Sequence, residues 1–370
     1  MIQSRRKALK QIIGAAGTLS LSSLSHGLKA ASELLDRQTT SPLGIALVGL
    51  GNYSRAALKP ALRQTKNVKL KGIVTGTPDK AEQWSQEFDL PKSHIYNYET
   101  FDRIADNEDI DIVYIVLPNF MHAEYTIRAL EAGKHVICEK PMAMNVAECE
   151  MMIAASKSAN RKLSVGYRLH YEKHHQEAMR LGREKPFGEI NFIEASFAYH
   201  LGDPTLWRLS KEKGGGGAIM DLGVYPIQAC RYVTGEEPSA VTAQAFVRDR
   251  SRFKDIYESF LWQFEFPSGI IANCTTSYSS FVDRLYVSCY RGWMRLQPSF
   301  NGRGTLGETS NGVINLPKVN QQAAHMDDFA TSILNDTTPR VDATEGLQDL
   351  RLIEAIVRSA EEGVRVKISS

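Results

Sequence analysis

The stretch IALVGLGNYSRAALKPAL, Ile45 to Leu62, decides the fold. Four apolar residues, Ile45 to Val48, run straight into Gly49-Leu50-Gly51 and then into a helical pattern. A strand that turns sharply into a helix is the setting a dinucleotide requires. The first glycine permits the turn, and the second lets the backbone approach a pyrophosphate at the helix N-terminus. Ser54 stands where a third glycine would complete the pattern, so the motif alone is a weak signal.

The segments that follow raise its value. VKLKGIVTGTPDKAEQW reads as a strand, Val68 to Val74, then a turn and a helix with Thr77 as N-cap and Pro78 in its first position. An NAD site usually closes this strand with Asp or Glu to hold the ribose hydroxyls. Here Thr75 takes that place and Lys80 follows, a hydroxyl and a cation that suit a 2′-phosphate. The expected cofactor is therefore NADP rather than NAD; the plainer reading of Lys80 is a solvated helix lysine. Further on, IDIVYIVLPNFMHAEYTIRALEAGKHVICEKPMA gives a buried strand (Ile112 to Leu117), a helix and another strand (His135 to Cys138). Strands alternating with helices imply right-handed crossovers and a parallel sheet, with ligands bound beyond the carboxyl ends of the strands. Leu117-Pro118-Asn119 and Glu139-Lys140-Pro141 sit at such ends, and they single out Lys140.

From about Ser164 the pattern becomes alternating and β-rich. Candidate strands begin at Ile190, Val241, Ser259, Ile270, Arg284 and Trp293, and helices at His325 to Leu334 and Glu345 to Glu362 close the chain. The expected fold class is α/β followed by α+β: a Rossmann-like parallel-sheet domain over 44–164, then a domain over 165–370 with a large, mainly antiparallel open sheet. Between the early strands lies KEKGGGGAIMDLGVYPIQACRY, starting at Lys211. Asp221 and Tyr225 fall at i and i+4 on one helical face. Alone, the glycines read as a linker and the pair as a capped or solvated helix. His170, His174 and His175 lack a convergent carboxylate motif, so no metal is expected and a solvated helix face is the simpler reading. His170 and Tyr171 are expected to reach toward the substrate.

At the N-terminus, SRRKALKQIIGAAGTLSLSSL (Ser4 to Leu24) sets Arg5 and Arg6 before a moderately apolar core, with Ala30-Ala31 as a cleavage site. Charge, core and small residues come in the order of an export signal, and the paired arginines resemble the twin-arginine type that carries folded proteins. Residues 1–30 are thus expected to be a signal and 31–43 an arm. The rival reading is a basic amphipathic helix. The core is too short and too rich in Ser and Gly to span a bilayer, so no stable membrane insertion is expected after cleavage. A composition of 43% hydrophobic and 23% charged residues with a net charge of +2 is that of a globular protein without a basic stripe, which argues against nucleic acid. Five scattered cysteines form neither a disulfide framework nor a metal pattern.

From CEKPMA onward the chain resembles the Gfo/Idh/MocA oxidoreductases, which carry an E-K-P motif after this strand, and within them the glucose–fructose oxidoreductase branch. The likeness extends through VGYRLHY, WRLSKEKGGGGAIMDLGVY and SAEEGVRV. It implies that Gly49, Gly51, Asn52 and Tyr53 line the pyrophosphate, and that Thr75 and Lys80 hold the 2′-phosphate. Leu117, Pro118, Asn119, His122, Glu139, Lys140 and Arg168 would follow the nicotinamide half, with Trp207 and Arg208 also touching cofactor. Lys140, Asp221 and Tyr225 match the active-site set; many relatives have His in place of Tyr225, and tyrosine belongs to the branch named. The resemblance further implies a homodimer or homotetramer paired through the free face of the sheet. One departure is the short stretch between Ala31 and Ile45, where the branch has a longer arm that embraces a neighbour and helps to retain cofactor.

The chemistry so implied is oxidation of a sugar at C1. Tyr225 would serve as base, with Lys140 and the oxidised nicotinamide, both cationic, favouring its phenolate. Asp221 would bind a sugar hydroxyl or hold the lysine. An exported nicotinamide enzyme meets no free cofactor pool, so a tightly bound NADP would be reoxidised on the spot by a second carbonyl sugar. The rival readings are an NAD-dependent glycoside hydrolase of the same superfamily, a non-catalytic sensor, and a simple aldose 1-dehydrogenase with exchangeable NAD(P).

Overall fold

A computed structural model describes residues 41–368. The expected signal and most of the arm lie outside the described residues. The chain opens with β1 (Leu43–Val48), β2 (Val68–Val74), β3 (Ile95–Tyr96), β4 (Ile112–Ile115), β5 (His135–Cys138) and β6 (Leu163–Val165). They form one parallel sheet in the order β3-β2-β1-β4-β5-β6. Helices α1 (Pro78–Phe88), α2 (His122–Glu131) and α3 (Val146–Ser158) are the main crossovers. The strand order reverses between β1 and β4, which opens a crevice at their carboxyl ends. Thr77 occupies the N-cap of α1 as expected, but its hydroxyl makes no capping bond. Its N–H donates instead to Thr75 Oγ1 at 3.2 Å.

Both faces of this sheet are covered, so its strands are apolar throughout rather than alternating. Ile45 and Leu47 face one cluster, with Trp84, Tyr114 and Leu58; Ala46 and Val48 face the other, with Val113, Ile115 and Leu130. The first cluster is completed from far along the chain. Met326, Phe329 and Ala330 belong to α6 (Gln321–Leu334) and pack with Ile45 and Leu47. A sequential boundary at 164/165 therefore does not separate the two bodies, because residues 321–334 return to roof the first sheet.

The second sheet has nine strands: β7 (Ile190–Ala198), β8 (Ala240–Phe246), β9 (Ser259–Glu265), β10 (Ile271–Ser277), β11 (Val282–Cys289), β12 (Gly292–Leu296), β13 (Gly307–Thr309), β14 (Gly312–Ile314) and β15 (Val366–Lys367). Their order is β14-β13-β12-β11-β7-β10-β9-β8-β15. Every pair is antiparallel except β7 with β10. Alternation assigns the faces. Phe260, Trp262 and Phe264 of β9 point inward with Ala272 and Cys274 of β10, while Leu261, Gln263 and Asn273 point out. The inner face carries α5 (Val224–Thr234) and α7 (Ala343–Glu362), and α4 (Lys173–Glu184) lies against α5. Phe192, Tyr286 and Trp293 line up on the outer face, with rings 6.2 and 6.0 Å apart.

His174 and His175 correct an expectation. They are buried, not solvated, because α4 packs this face against α5 and the loop after β12. His174 Nδ1 meets Glu172 Oε1 at 3.1 Å, and His175 bridges Tyr232 and the Ser299 carbonyl. Tyr171 is likewise buried, stacked on His325 and donating to Asp328, rather than turned toward a substrate. Among the described residues there is no group of His, Cys, Asp and Glu arranged to hold a metal, and no helix long and apolar enough to cross a membrane.

Candidate active site

The crevice begins at Gly49, where β1 and β4 diverge. Its N–H bonds the Val74 carbonyl at 2.9 Å, and its φ of +92° turns the chain out of the sheet. A Cβ here would lie 2.4 Å from the Val116 carbonyl oxygen, so only glycine lets the two strands sit this close. At Gly51 an added Cβ would meet nothing within 4 Å. The outer face of the loop is open, as a pyrophosphate cradle must be, and the residues present fit a dinucleotide. Asn52 is exposed beside it, and Tyr53 accepts a hydrogen bond from Gln322 Nε2 at 3.3 Å. Thr75 is buried at the end of β2, whereas Lys80 stands exposed on α1. A cavity of about 1100 Å³ opens at Thr75, Gly76 and Pro78 and runs past Tyr98 along the β3 edge. It lies at the ribose end of the crevice, away from Lys140.

The strand ends on the other side hold one another. His122 is buried with its Nδ1 2.8 Å from the Pro141 carbonyl and its Nε2 2.9 Å from the Leu117 carbonyl. It was expected along the nicotinamide half. Both its nitrogens instead face backbone carbonyls, one in the Leu117-Pro118 turn and one in the E-K-P turn, and the neutral ring donates to one of them. Burial lowers its basicity. Asn119 donates to the Gly214 carbonyl at 2.9 Å, anchoring the glycine-rich segment to the first domain. Glu139 accepts the Tyr114 hydroxyl at 2.8 Å, and burial raises its carboxyl above the usual range.

Lys140, Asp221 and Tyr225 come together. Asp221 lies in a wide helical turn, Ile219–Gly223, which runs directly into α5, and Tyr225 is in the first turn of that helix. Lys140 Nζ is 3.0 Å from Asp221 Oδ1 and 4.9 Å from the centre of the Tyr225 ring. Arg208 Nε lies 3.2 Å from Asp221 Oδ2 and stacks its guanidinium on Trp207 at 4.4 Å. Arg208 was assigned to the cofactor from the sequence, and the structure joins it to this carboxylate. Two tyrosines that the sequence reading missed complete the cluster: Tyr278 and Tyr199 donate to Asp221 Oδ2 at 3.2 and 3.4 Å. They stand just past the carboxyl ends of β10 and β7, and no local pattern links them to Asp221.

Charge follows from this geometry. Burial would raise the Asp221 carboxyl, but Lys140 and then Arg208 outweigh it and hold it well below the usual carboxylate range. Burial would lower the Lys140 ammonium, and Asp221 reverses that, so the lysine stays charged. Arg168, at the end of β6, is buried with its guanidinium carbon 5.3 Å from the Tyr225 ring centre. The site thus sets two cations on one firmly ionised carboxylate and a third, Arg168, against the Tyr225 ring. Such a surplus favours an anion or an oxygen that gains negative charge during reaction.

Three family models match in chain order. One described as an oxidoreductase family with an NAD-binding Rossmann fold covers residues 43–167. Two C-terminal domain models of the same family, Gfo/Idh/MocA, cover 175–295 and 309–368. Among solved structures, the aldose-aldose oxidoreductase from Caulobacter crescentus complexed with glycerol is 42% identical. It superposes with a TM-score of 0.85 over 88% of this chain and 100% of that one. Among curated proteins, D-xylose 1-dehydrogenase [NADP(+)] of Haloarcula marismortui is 28% identical over 346 residues, 89% of this chain and 94% of its own length. The levoglucosan dehydrogenase structure with NADH and levoglucosan, 22% identical with a TM-score of 0.72, covers 89% of this chain and all of its own; it shares the fold.

Proposed function

The chain belongs to the Gfo/Idh/MocA oxidoreductase family and is an NAD(P)-dependent enzyme acting on sugars, and we propose that it oxidises an aldose at C1 to the lactone and reduces a second carbonyl sugar in turn, with NADP retained throughout. The observation that carries this reading is the meeting of Lys140, Asp221 and Tyr225 beside the crevice. NADP is supported by Thr75 in place of a carboxylate at the end of β2, and by the NADP(+) named for the Haloarcula relative. The sequence reading favoured exchange of the glucose–fructose type, and the name of the Caulobacter relative favours an aldose as acceptor. The two differ only in the second sugar.

When bound, the nicotinamide supplies the acceptor and donor of hydride. Gly49, Gly51, Asn52, Tyr53 and Thr75 would hold the dinucleotide, with Glu139 at the nicotinamide end. Tyr225 takes the proton of the C1 hydroxyl and returns one to the second sugar. Lys140 lies between Tyr225 and Asp221 and presents an ammonium to the sugar oxygen. Asp221 is already engaged by Lys140, Arg208, Tyr278 and Tyr199, so its part is to hold the two cations rather than to bind sugar. These contacts support the second of the two roles open from sequence, that of holding the lysine.

The same proposal includes export of the folded, loaded enzyme to the periplasm by the twin-arginine signal, and pairing of subunits through the outer face of the second sheet. The arginine pair before an apolar core supports the first. The aromatic row Phe192, Tyr286 and Trp293 supports the second. The test uses purified mature protein with no cofactor added. An aldose should raise the near-ultraviolet band of reduced nicotinamide in proportion to enzyme, and a second sugar should abolish it. Tyr225→Phe should slow the rise by about two orders of magnitude or more, the usual loss when a general base is removed. A rate within tenfold of wild type would remove Tyr225 from that role.

A further inference from the structure

The two cations beside Tyr225 are not equivalent. Lys140 has a carboxylate partner, Asp221, at 3.0 Å. Arg168 has none: among the described residues no carboxylate oxygen lies within 4.0 Å of its guanidinium. Its Nη1 donates to the Gln321 side-chain carbonyl at 2.6 Å and its Nη2 to the Phe300 backbone carbonyl at 2.5 Å. Both acceptors are neutral. The side chain is only 7% exposed, so its charge has little water around it and no carboxylate in direct contact; the buried Glu139 acts on it only from beyond ion-pair distance. A buried cation in that state is costly unless another group uses its field.

The loop after β12 is shaped around it. Asp283 accepts the Ser299 and Phe300 N–H groups at 2.8 and 2.6 Å and so sets the Phe300 carbonyl. Gly302, with φ +77°, passes so close that a Cβ would lie 3.4 Å from the guanidinium. On the far side the ring of Tyr225 completes the cage, itself packed on Phe197 and Phe300. The other titratable groups around the pair are Tyr53, Glu139 and Tyr199, with Lys140 and Arg208 joined through Asp221. Of the cations, Arg168 is the one with no carboxylate in direct contact.

We infer that Arg168, rather than Lys140, is the group that stabilises negative charge on the Tyr225 oxygen, and that Gln321 keeps it available by anchoring it without neutralising it. In the oxidation the sugar C1 O–H bond breaks and its proton passes to the deprotonated Tyr225 oxygen, while the C1–H bond breaks, its hydride would pass to the oxidised nicotinamide, and C1=O forms. Arg168 transfers no proton and remains a guanidinium; it is a positioning residue. This inference rests on the assignment of Tyr225 as base.

The experiment compares loaded wild-type enzyme with Arg168→Met and Gln321→Glu in a single turnover with an aldose across pH. Gln321→Glu keeps the anchor but supplies the missing anion. In both variants the acid limb of the rate profile should move to higher pH by about one unit, a roughly tenfold loss on that limb. The near-ultraviolet tyrosinate signal, taken as the difference from Tyr225→Phe, should appear at correspondingly higher pH. Acid release of nucleotide should show cofactor still bound. An unmoved limb and tyrosinate signal in Gln321→Glu would overturn the inference, and that variant decides alone if Arg168→Met does not fold. An acid limb that survives unchanged in Tyr225→Phe would instead overturn the assignment of the base.

Discussion

The two ends of the crevice are made of different material. At the pyrophosphate end the work falls to backbone: a turn with φ of +92° at Gly49, an open loop at Gly51 and N–H groups at the start of a helix. At the sugar end it falls to side chains from well-separated segments, namely Lys140, Arg168, Tyr199, Arg208, Asp221, Tyr225 and Tyr278. Backbone sites are rigid and local, and a substitution there acts by steric exclusion. Side-chain sites are a balance of charges, and removing one member leaves its partners buried and unmatched. Perturbations should therefore differ in kind between the ends.

The largest effect is expected at the hub of the sugar end. Asp221→Ala leaves the largely buried Lys140 ammonium and the partly exposed Arg208 guanidinium without their shared carboxylate, and should destabilise the fold by up to about 3–5 kcal/mol as well as stop turnover. Denaturant unfolding of the two proteins measures it, and a loss of activity at unchanged stability would show that the cluster tolerates unmatched charge. At the backbone end Gly49→Ala should act on cofactor. The added Cβ must push β1 and β4 apart, and nucleotide retained after purification should fall at least tenfold, with the remaining loaded fraction turning over normally. Normal retention would mean that the strand ends yield more readily than the 2.4 Å approach implies.

Acid should act through buried imidazoles on α4 and α6. Burial pushes His175 down to about 4 and His325 to about 3. An unfolded chain takes up protons on these rings below about pH 6.5, and the folded one does not until far lower. Stability is thus whole above that pH and declines as pH falls through the window below it, by up to about 1.4 kcal/mol per unit for each ring. Thermal melts at pH 7.5 and 5 should show the drop, and replacing His325 by an apolar residue of similar size should lessen it. The smallest effect is reserved for Lys80→Ala. It should weaken NADP relative to NAD by about tenfold or less, since an exposed cation contributes at most about 1 kcal/mol, and competition for the emptied site measures it. An unchanged preference would return Lys80 to the solvated face of α1.

The same division governs what could be read before any coordinates. Four strands of the first sheet, β1, β2, β4 and β5, were legible as short runs bounded by glycine, proline or charge, and crossover handedness made the sheet parallel; β3 and β6, of two and three residues, carry no pattern and were not found. The strands of the second sheet were found through alternation at β7 to β12, but the very short β13, β14 and β15 carry no pattern of their own. The E-K-P turn singled out Lys140, and the resemblance, rather than the spacing, set Asp221 and Tyr225 beside it. What sequence did not reveal is pairing across distance. Nothing in GYRLHY says that Arg168 will rest on neutral oxygens, nor does anything in CTTSY say that Tyr278 will reach Asp221. The histidines of α4 were misread for the same reason: His174 and His175 look like a polar face until α5 and the loop after β12 close over them.

The return of α6 across the first sheet has a consequence for how such a molecule can be cut or recombined. Met326, Phe329 and Ala330 roof the strand that carries the dinucleotide turn, and the first residues of the same helix, Gln321 and Gln322, touch Arg168 and Tyr53. A fragment ending after β6 would leave an oily face bare. A chimaera that exchanged everything beyond that strand would import a foreign lid together with the new sugar pocket. Interchangeable parts in this architecture are therefore not successive halves of the chain but a body with an insert. The insert begins after β6 and ends before Asn320, but α7 and β15 beyond the roof pack on the second sheet, so they must be exchanged together with it.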